Sequence, residues 1–403
     1  MTEQPSLITE KPKQRNIPML ILQCIGIFAV VFGHADFGGT DIPNFLNVAF
    51  PYYSWHMPLF IFISGYFFNR QLPAGKYILK KLRAHLLPAL LVNAVFGVFS
   101  LCLKEFGLAK YGQEITLRAL FVTPFTTGYQ FYINISLWFI FALFVIEVIA
   151  CLMDRIVRGK GDLVFLGITL AASLYCCCRA FYDYEGTRGE FLNAGLRLGF
   201  LMFFFWLGVC YRKYFEKHLQ PFLNIKTAAL LFLLQAVILG LTQWGITYNT
   251  RDMDLRDITV TNGFWVAIAG PITATLFFLG IAYSLSKYVQ KSKLLQELGS
   301  NTKYVMYYHQ FFFVFCAIMM GVAMKLKVLP KIPGFSFKRL MQDQYYSGGN
   351  LAITCAVALM SILLPIAVCR FIKKQRWYIG AAIYLGLFLL IILMLYLAGR
   401  VIH

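Results

Sequence analysis

The chain has 403 residues, of which 59% are hydrophobic and only 14% charged, against about 25% charged in a soluble protein. That much apolar surface cannot be hidden in one water-soluble core, so the composition excludes a soluble enzyme and predicts an integral membrane protein. The net charge of +19 does not point to nucleic acid, because the basic residues are gathered in short loops between apolar runs.

Residues 1–16 are polar, carry Lys11, Lys13 and Arg15, and show no small-residue cleavage site after the first apolar run. They read as a cytoplasmic tail ahead of a retained first helix, not as a removable signal. Apolar runs long enough to cross a bilayer follow at about 17–35, 48–68, 86–103, 133–153, 163–181, 191–211, 228–246, 263–285, 304–324, 351–371 and 378–398. The third is interrupted by Pro88 and Asn93. The prediction is all-α: a polytopic membrane helical bundle of about 10–11 transmembrane helices, forming one domain over residues 17–403. With the N-terminus inside, Lys and Arg favour the inner segments by about two to one. Asp183, Glu185, Glu190, Asp252, Asp254 and Asp257 fall outside. The long outer connections, 104–132 and 326–350, each have room for a short interfacial helix.

The first two runs form a hairpin that carries most of the chemistry. One ends in Gly33-His34-Ala35-Asp36, and the next opens as Tyr52-Tyr53-Ser54-Trp55-His56. His34 is 17 residues along its helix, about 25 Å from the inner end, so both histidines are expected at the outer face. A neutral imidazole there can take a proton from a hydroxyl. The plainer reading has both histidines snorkelling beside Trp55 and Tyr53 at the interface. Asp36 either holds an imidazole tautomer or is a solvated loop acid. His309, a few residues into its helix, is expected toward the inner face and not obviously beside His34, as a packing residue or hydrogen-bond anchor. Glu147 is the one acid deep in an apolar run, and Arg197 is a candidate partner for it.

The densest basic segment is Lys80-Lys81-Leu82-Arg83-Ala84-His85. It suits phosphates, but it equally suits topology or anionic lipid. The ten cysteines lie mostly within apolar runs and suggest neither a disulfide framework nor a metal site. No phosphate-binding glycine loop, HExxH or CxxC pair is present.

At these residues the chain resembles the acyltransferase 3 family, bacterial membrane proteins that O-acylate surface or exported glycans. The fucose 4-O-acetylase-like and polysaccharide-modifying branches look nearest. The likeness is carried by Ile25 to His34, by His56-Met57-Pro58-Leu59-Phe60 through Ser64-Gly65-Tyr66, by Gly299-Ser300-Asn301-Thr302 running on to His309, and by Ser136-Leu137-Trp138-Phe139. The resemblance implies that His34 is catalytic, with Asp36 orienting it, and that His56, Ser64, Trp138, Glu147 and His309 shape a substrate pocket. It implies that Lys80, Lys81 and Arg83 engage the phosphates of acyl-CoA. Acetyl-CoA or another acyl-CoA is then a co-substrate, with no tightly bound cofactor and no metal. The expected acceptor is a glycan or lipid-linked sugar. The expected location is the bacterial inner membrane, with glycan-assembly proteins as possible partners and no nucleic acid.

One departure stands out: where the family tends to carry Arg or Lys eleven residues before the catalytic histidine, this chain has Gln23. That departure keeps a second reading open, an exporter of polysaccharide or lipid-linked glycan without transferase activity.

Overall fold

The computed structural model describes residues 16–36, 52–108, 114–128, 131, 136–157, 160–182, 189–241, 266–332, 346–347 and 351–402. The expected tail, apart from Asn16, and the acids at 183, 185, 252, 254 and 257 lie outside the described residues.

The chain folds as helices. The first is α1 (Ile17–Gly33), followed by α2 (Tyr52–Tyr66) and α3 (Ala74–Lys81). A π turn, Leu82–Leu86, joins α3 to α4 (Leu87–Glu105). Next come the short α5 (Leu117–Phe121), α6 (Trp138–Ile156) and α7 (Asp162–Tyr182). The helix α8 (Glu190–Cys210) passes through a second π turn, Tyr211–Phe215, into α9 (Glu216–Leu219). Then follow α10 (Ile225–Leu241), α11 (Val266–Val289), α12 (Lys293–Ser300) and α13 (Thr302–Lys325). The last two are α14 (Leu351–Lys374) and α15 (Trp377–Ile402). The only strand pairing among the described residues is parallel and two residues long: β1 (Ala35–Asp36) against β2 (Tyr346–Ser347).

Each expected apolar run has a helix. Among the described residues, seven helices are long and apolar enough to cross a membrane. The other runs correspond to α1, α2, α6 and α10, which are shorter or, in α6, carry Glu147, Asp154 and Arg155. The interruption expected at Pro88 is absorbed without a break. The π turn ends two residues earlier, so the ring is met by a widened turn instead of a regular helical carbonyl. Asn93, fully buried, donates to the Leu120 carbonyl at 3.2 Å and ties α4 to α5.

The hairpin helices are central. α1 touches α2, α11, α12, α13 and α14, and α2 also packs on α8. The α2–α8 crossing is set by two glycines. A Cβ on Gly65 would strike the Phe205 carbonyl, and one on Gly208 would strike the Phe62 carbonyl. Small residues of this kind let helix backbones meet where lipid supplies no hydrophobic drive.

Polar clamps fix the end of the bundle where α1 begins. Tyr66 and Tyr283 both donate to Glu216 Oε1 at 2.9 Å, and Asn16, the N-cap of α1, donates to the Tyr66 hydroxyl at 2.7 Å. Arg70 pairs with both oxygens of the buried Asp162 and, at 3.0 Å, with Asp154, while Lys213 meets Asp162 at 2.7 Å. Burial alone would lower the Arg70 pKa. The Asp162 hydrogen bond and charge, then the Asp154 charge, raise it above its ordinary value.

Candidate active site

His34 closes α1. Its backbone N–H bonds the Val30 carbonyl at 3.3 Å, and the next two residues form β1. There Ala35 pairs with Tyr346 and Asp36 with Ser347. Since β1 touches α14 and β2 touches α13, the end of α1 is clamped against that helix pair. The clamp brings the His34 ring to 5.4 Å from the His309 ring, centroid to centroid, at 38°. His309, not obviously beside His34 from its place in the sequence, is therefore its neighbour. The reason is where α13 starts. A Cβ on Gly299, at the end of α12, would lie 2.9 Å from the Leu20 carbonyl, so α13 sets out from the level of Leu20. From Thr302, seven residues of α13 rise about 10 Å to His309, while fourteen carry α1 about 21 Å from Leu20 to His34, and the β1–β2 pairing holds the end of α1 beside α13 and α14.

His309 is fully buried, and its Nδ1 lies 2.8 Å from the Val305 carbonyl. A carbonyl only accepts, so Nδ1 carries the hydrogen and Nε2 presents a lone pair. That Nε2 is buried and has no hydrogen-bond partner among the described residues. His56, 3% exposed and one turn into α2, is close enough to interact electrostatically with both other rings. Three histidines from α1, α2 and α13 thus converge.

Trp138, the first residue of α6, carries the Arg197 guanidinium 4.8 Å from its ring centroid. Arg197 donates to the Thr126 carbonyl at 2.9 Å. The backbone N–H of Ser136 donates to Gln310 Oε1 at 3.1 Å, tying the start of α6 to the residue after His309. Gln310 drew no attention in the sequence; its position beside a histidine in an apolar helix was the available signal. The Asp36 side chain lies outside the described residues.

Ser64 and Glu147 belong elsewhere. Ser64 is eight residues beyond His56, and Glu147 nine beyond Trp138, each about 12–14 Å further along its helix. There the Ser64 hydroxyl donates to Glu147 Oε1 at 2.6 Å, and Lys81 pairs with the same oxygen. His85 Nε2 stands 3.6 Å from Oε2, too far for a hydrogen bond. Glu147 is therefore answered by Lys81, not by Arg197. Lys80 and Arg83 are exposed.

The family model described as an acyltransferase domain, acyltransferase 3, matches residues 20–369. The chain belongs to the acyltransferase 3 family. It is a multi-pass membrane acyltransferase, and its three converging histidines and the Glu147 cluster all fall inside the match. Comparisons with curated proteins and with solved structures found no match. The last helix of this acyltransferase, α15, follows the matched region.

Proposed function

We propose that this acyltransferase moves an acyl group, probed most simply as acetyl, from cytoplasmic acyl-CoA to a hydroxyl of a cell-surface or exported polysaccharide sugar. We place it in the bacterial inner membrane with the N-terminus inside. The observation that supports this most is the His34–His309 pair, 5.4 Å apart, with a buried imidazole nitrogen that has no hydrogen-bond partner among the described residues. His34 acts as general base. It takes the proton of the sugar hydroxyl as the oxygen attacks the thioester carbonyl, and the C–S bond breaks to release CoA thiolate. The proton on His34 then passes to that thiolate. His309 Nε2, its ring fixed through Val305, accepts a hydrogen bond from the sugar or from His34 once protonated. His56 and Trp138 wall the pocket, and Asp36 orients His34. A positioned base contributes about 10²–10⁴-fold in rate.

The test is proton NMR of surface polysaccharide from cells carrying the wild type or His34→Ala, at matched membrane levels. Loss of O-acyl signals with polymer amount unchanged is the expected result. Unchanged O-acylation refutes the assignment, and a fall in polymer confined to deletion cells points instead to export.

A further inference from the structure

The first turn of α13 gathers groups that the reaction site does not use. Lys303 and Lys373, from α13 and α14, both place their ammonium groups over the Tyr304 ring, 5.5 and 4.8 Å from its centroid. Neither has a carboxylate partner among the described residues. The acid nearby, Glu297, is held by Arg370 at 2.9 Å and by the Asn301 amide at 3.3 Å. A cation–π contact accounts for one lysine on a ring; two held together without an anion repel each other.

The turn itself is also open. Asn301, the N-cap of the 24-residue α13, makes no side-chain cap bond, because its amide donates back to the Glu297 carbonyl at 2.8 Å. The Tyr304 N–H is taken by the Asn301 carbonyl at 3.0 Å, but no side chain accepts from the N–H groups of Thr302 and Lys303, at the positive end of this long helix's dipole. A separate observation points the same way. Tyr304 is 7% exposed, and its hydroxyl has no hydrogen-bond partner among the described residues.

We propose that this turn binds a phosphate of the acyl donor, through the Lys303 and Lys373 ammonium groups, the Thr302 and Lys303 N–H groups and the Tyr304 hydroxyl. The proposal rests on the acyl-CoA reading above and moves the donor site away from the 80–83 segment. In that segment Lys81 is already paired with Glu147, and Lys80 and Arg83 are exposed. It also shortens the path of the acyl group. Lys303 and His309 lie on one helix, six residues and about 9 Å of rise apart. They occupy different faces of α13, so the pantetheine arm rounds the helix, but it does not have to cross the whole bilayer.

Calorimetric titration of coenzyme A into the purified, detergent-solubilised full chain tests this without any transfer step. Lys303→Gln/Lys373→Gln is expected to weaken binding at least about 30-fold, as two charge-assisted contacts are lost, and Tyr304→Phe by about 3–10-fold. Inorganic pyrophosphate should compete with coenzyme A on the wild type. Unchanged melting temperatures show that the variants are folded. A larger loss in Lys80→Gln/Arg83→Gln than in the Lys303/Lys373 variant overturns the proposal and leaves the acyltransferase reading standing. If coenzyme A does not bind the wild type, while phosphatidylglycerol vesicles do and the Lys303/Lys373 variant loses them, the cations serve a lipid headgroup. The donor assignment then fails as well.

Discussion

Replacing Lys81 by Met separates a structural cation from a ligand-binding one. Glu147 is 1% exposed, and Lys81, 21% exposed, is its only charged hydrogen-bonding partner among the described residues. Met keeps the length and apolar stem of Lys81 but leaves a carboxylate buried with only the Ser64 hydroxyl donating to it. Breaking a buried pair from one side costs about 3–5 kcal/mol; the partial exposure of Lys81 argues for the lower end, near 3 kcal/mol. Glu147→Gln removes the other partner, yet Lys81 can swing its ammonium toward water, and the amide oxygen can still accept from Ser64. Its cost should be about 1 kcal/mol. The double variant Lys81→Met/Glu147→Gln should then be more stable than Lys81→Met alone. Thermal unfolding of the purified protein, followed by tryptophan fluorescence, reads this as a drop of several degrees for Lys81→Met and a partial recovery in the double variant. If Lys81→Met melts like the wild type but binds coenzyme A much more weakly, the pairing argument is refuted and Lys81 belongs to the donor.

Two more outcomes follow from the geometry. Gly208→Ala places a methyl on the Phe62 carbonyl. Because backbone has to move, it should destabilise by about 1–3 kcal/mol and lower the yield of monodisperse protein, whereas Gly386→Ala, with open space around its Cβ position, should not. His309→Gln removes the fixed lone pair without removing a charge partner. O-acylation should fall about 10²–10⁴-fold at unchanged expression, and retention of near wild-type O-acylation would make His309 a packing residue.

Much of this protein is legible in its sequence. Apolar runs of bilayer length can only be satisfied as helices, because each backbone polar group must find its partner within the same segment. The runs therefore located the helices, and the loop charges gave an expected orientation. Gly-His at the end of α1 and the His56-Met57-Pro58 start of α2 marked the hairpin, since ionisable residues beside lipid are costly unless used.

Tertiary structure decided who meets whom. Hydropathy reports how far a residue lies along its own helix but not where that helix begins relative to its neighbours. His309 is seven residues into α13 and was expected near the inner face. It reaches His34 because Gly299 lets α12 dock on Leu20 and because β1 and β2 clamp the end of α1. Ser64 and Glu147 were expected in the pocket from the family resemblance, yet a helical rise of 1.5 Å per residue carries both past His56 and Trp138 to Lys81. Composition and periodicity are one-dimensional and sufficed for the elements. The site depends on relative depth and rotation between helices, and close backbone contacts and short polar clamps set these only once the bundle is packed.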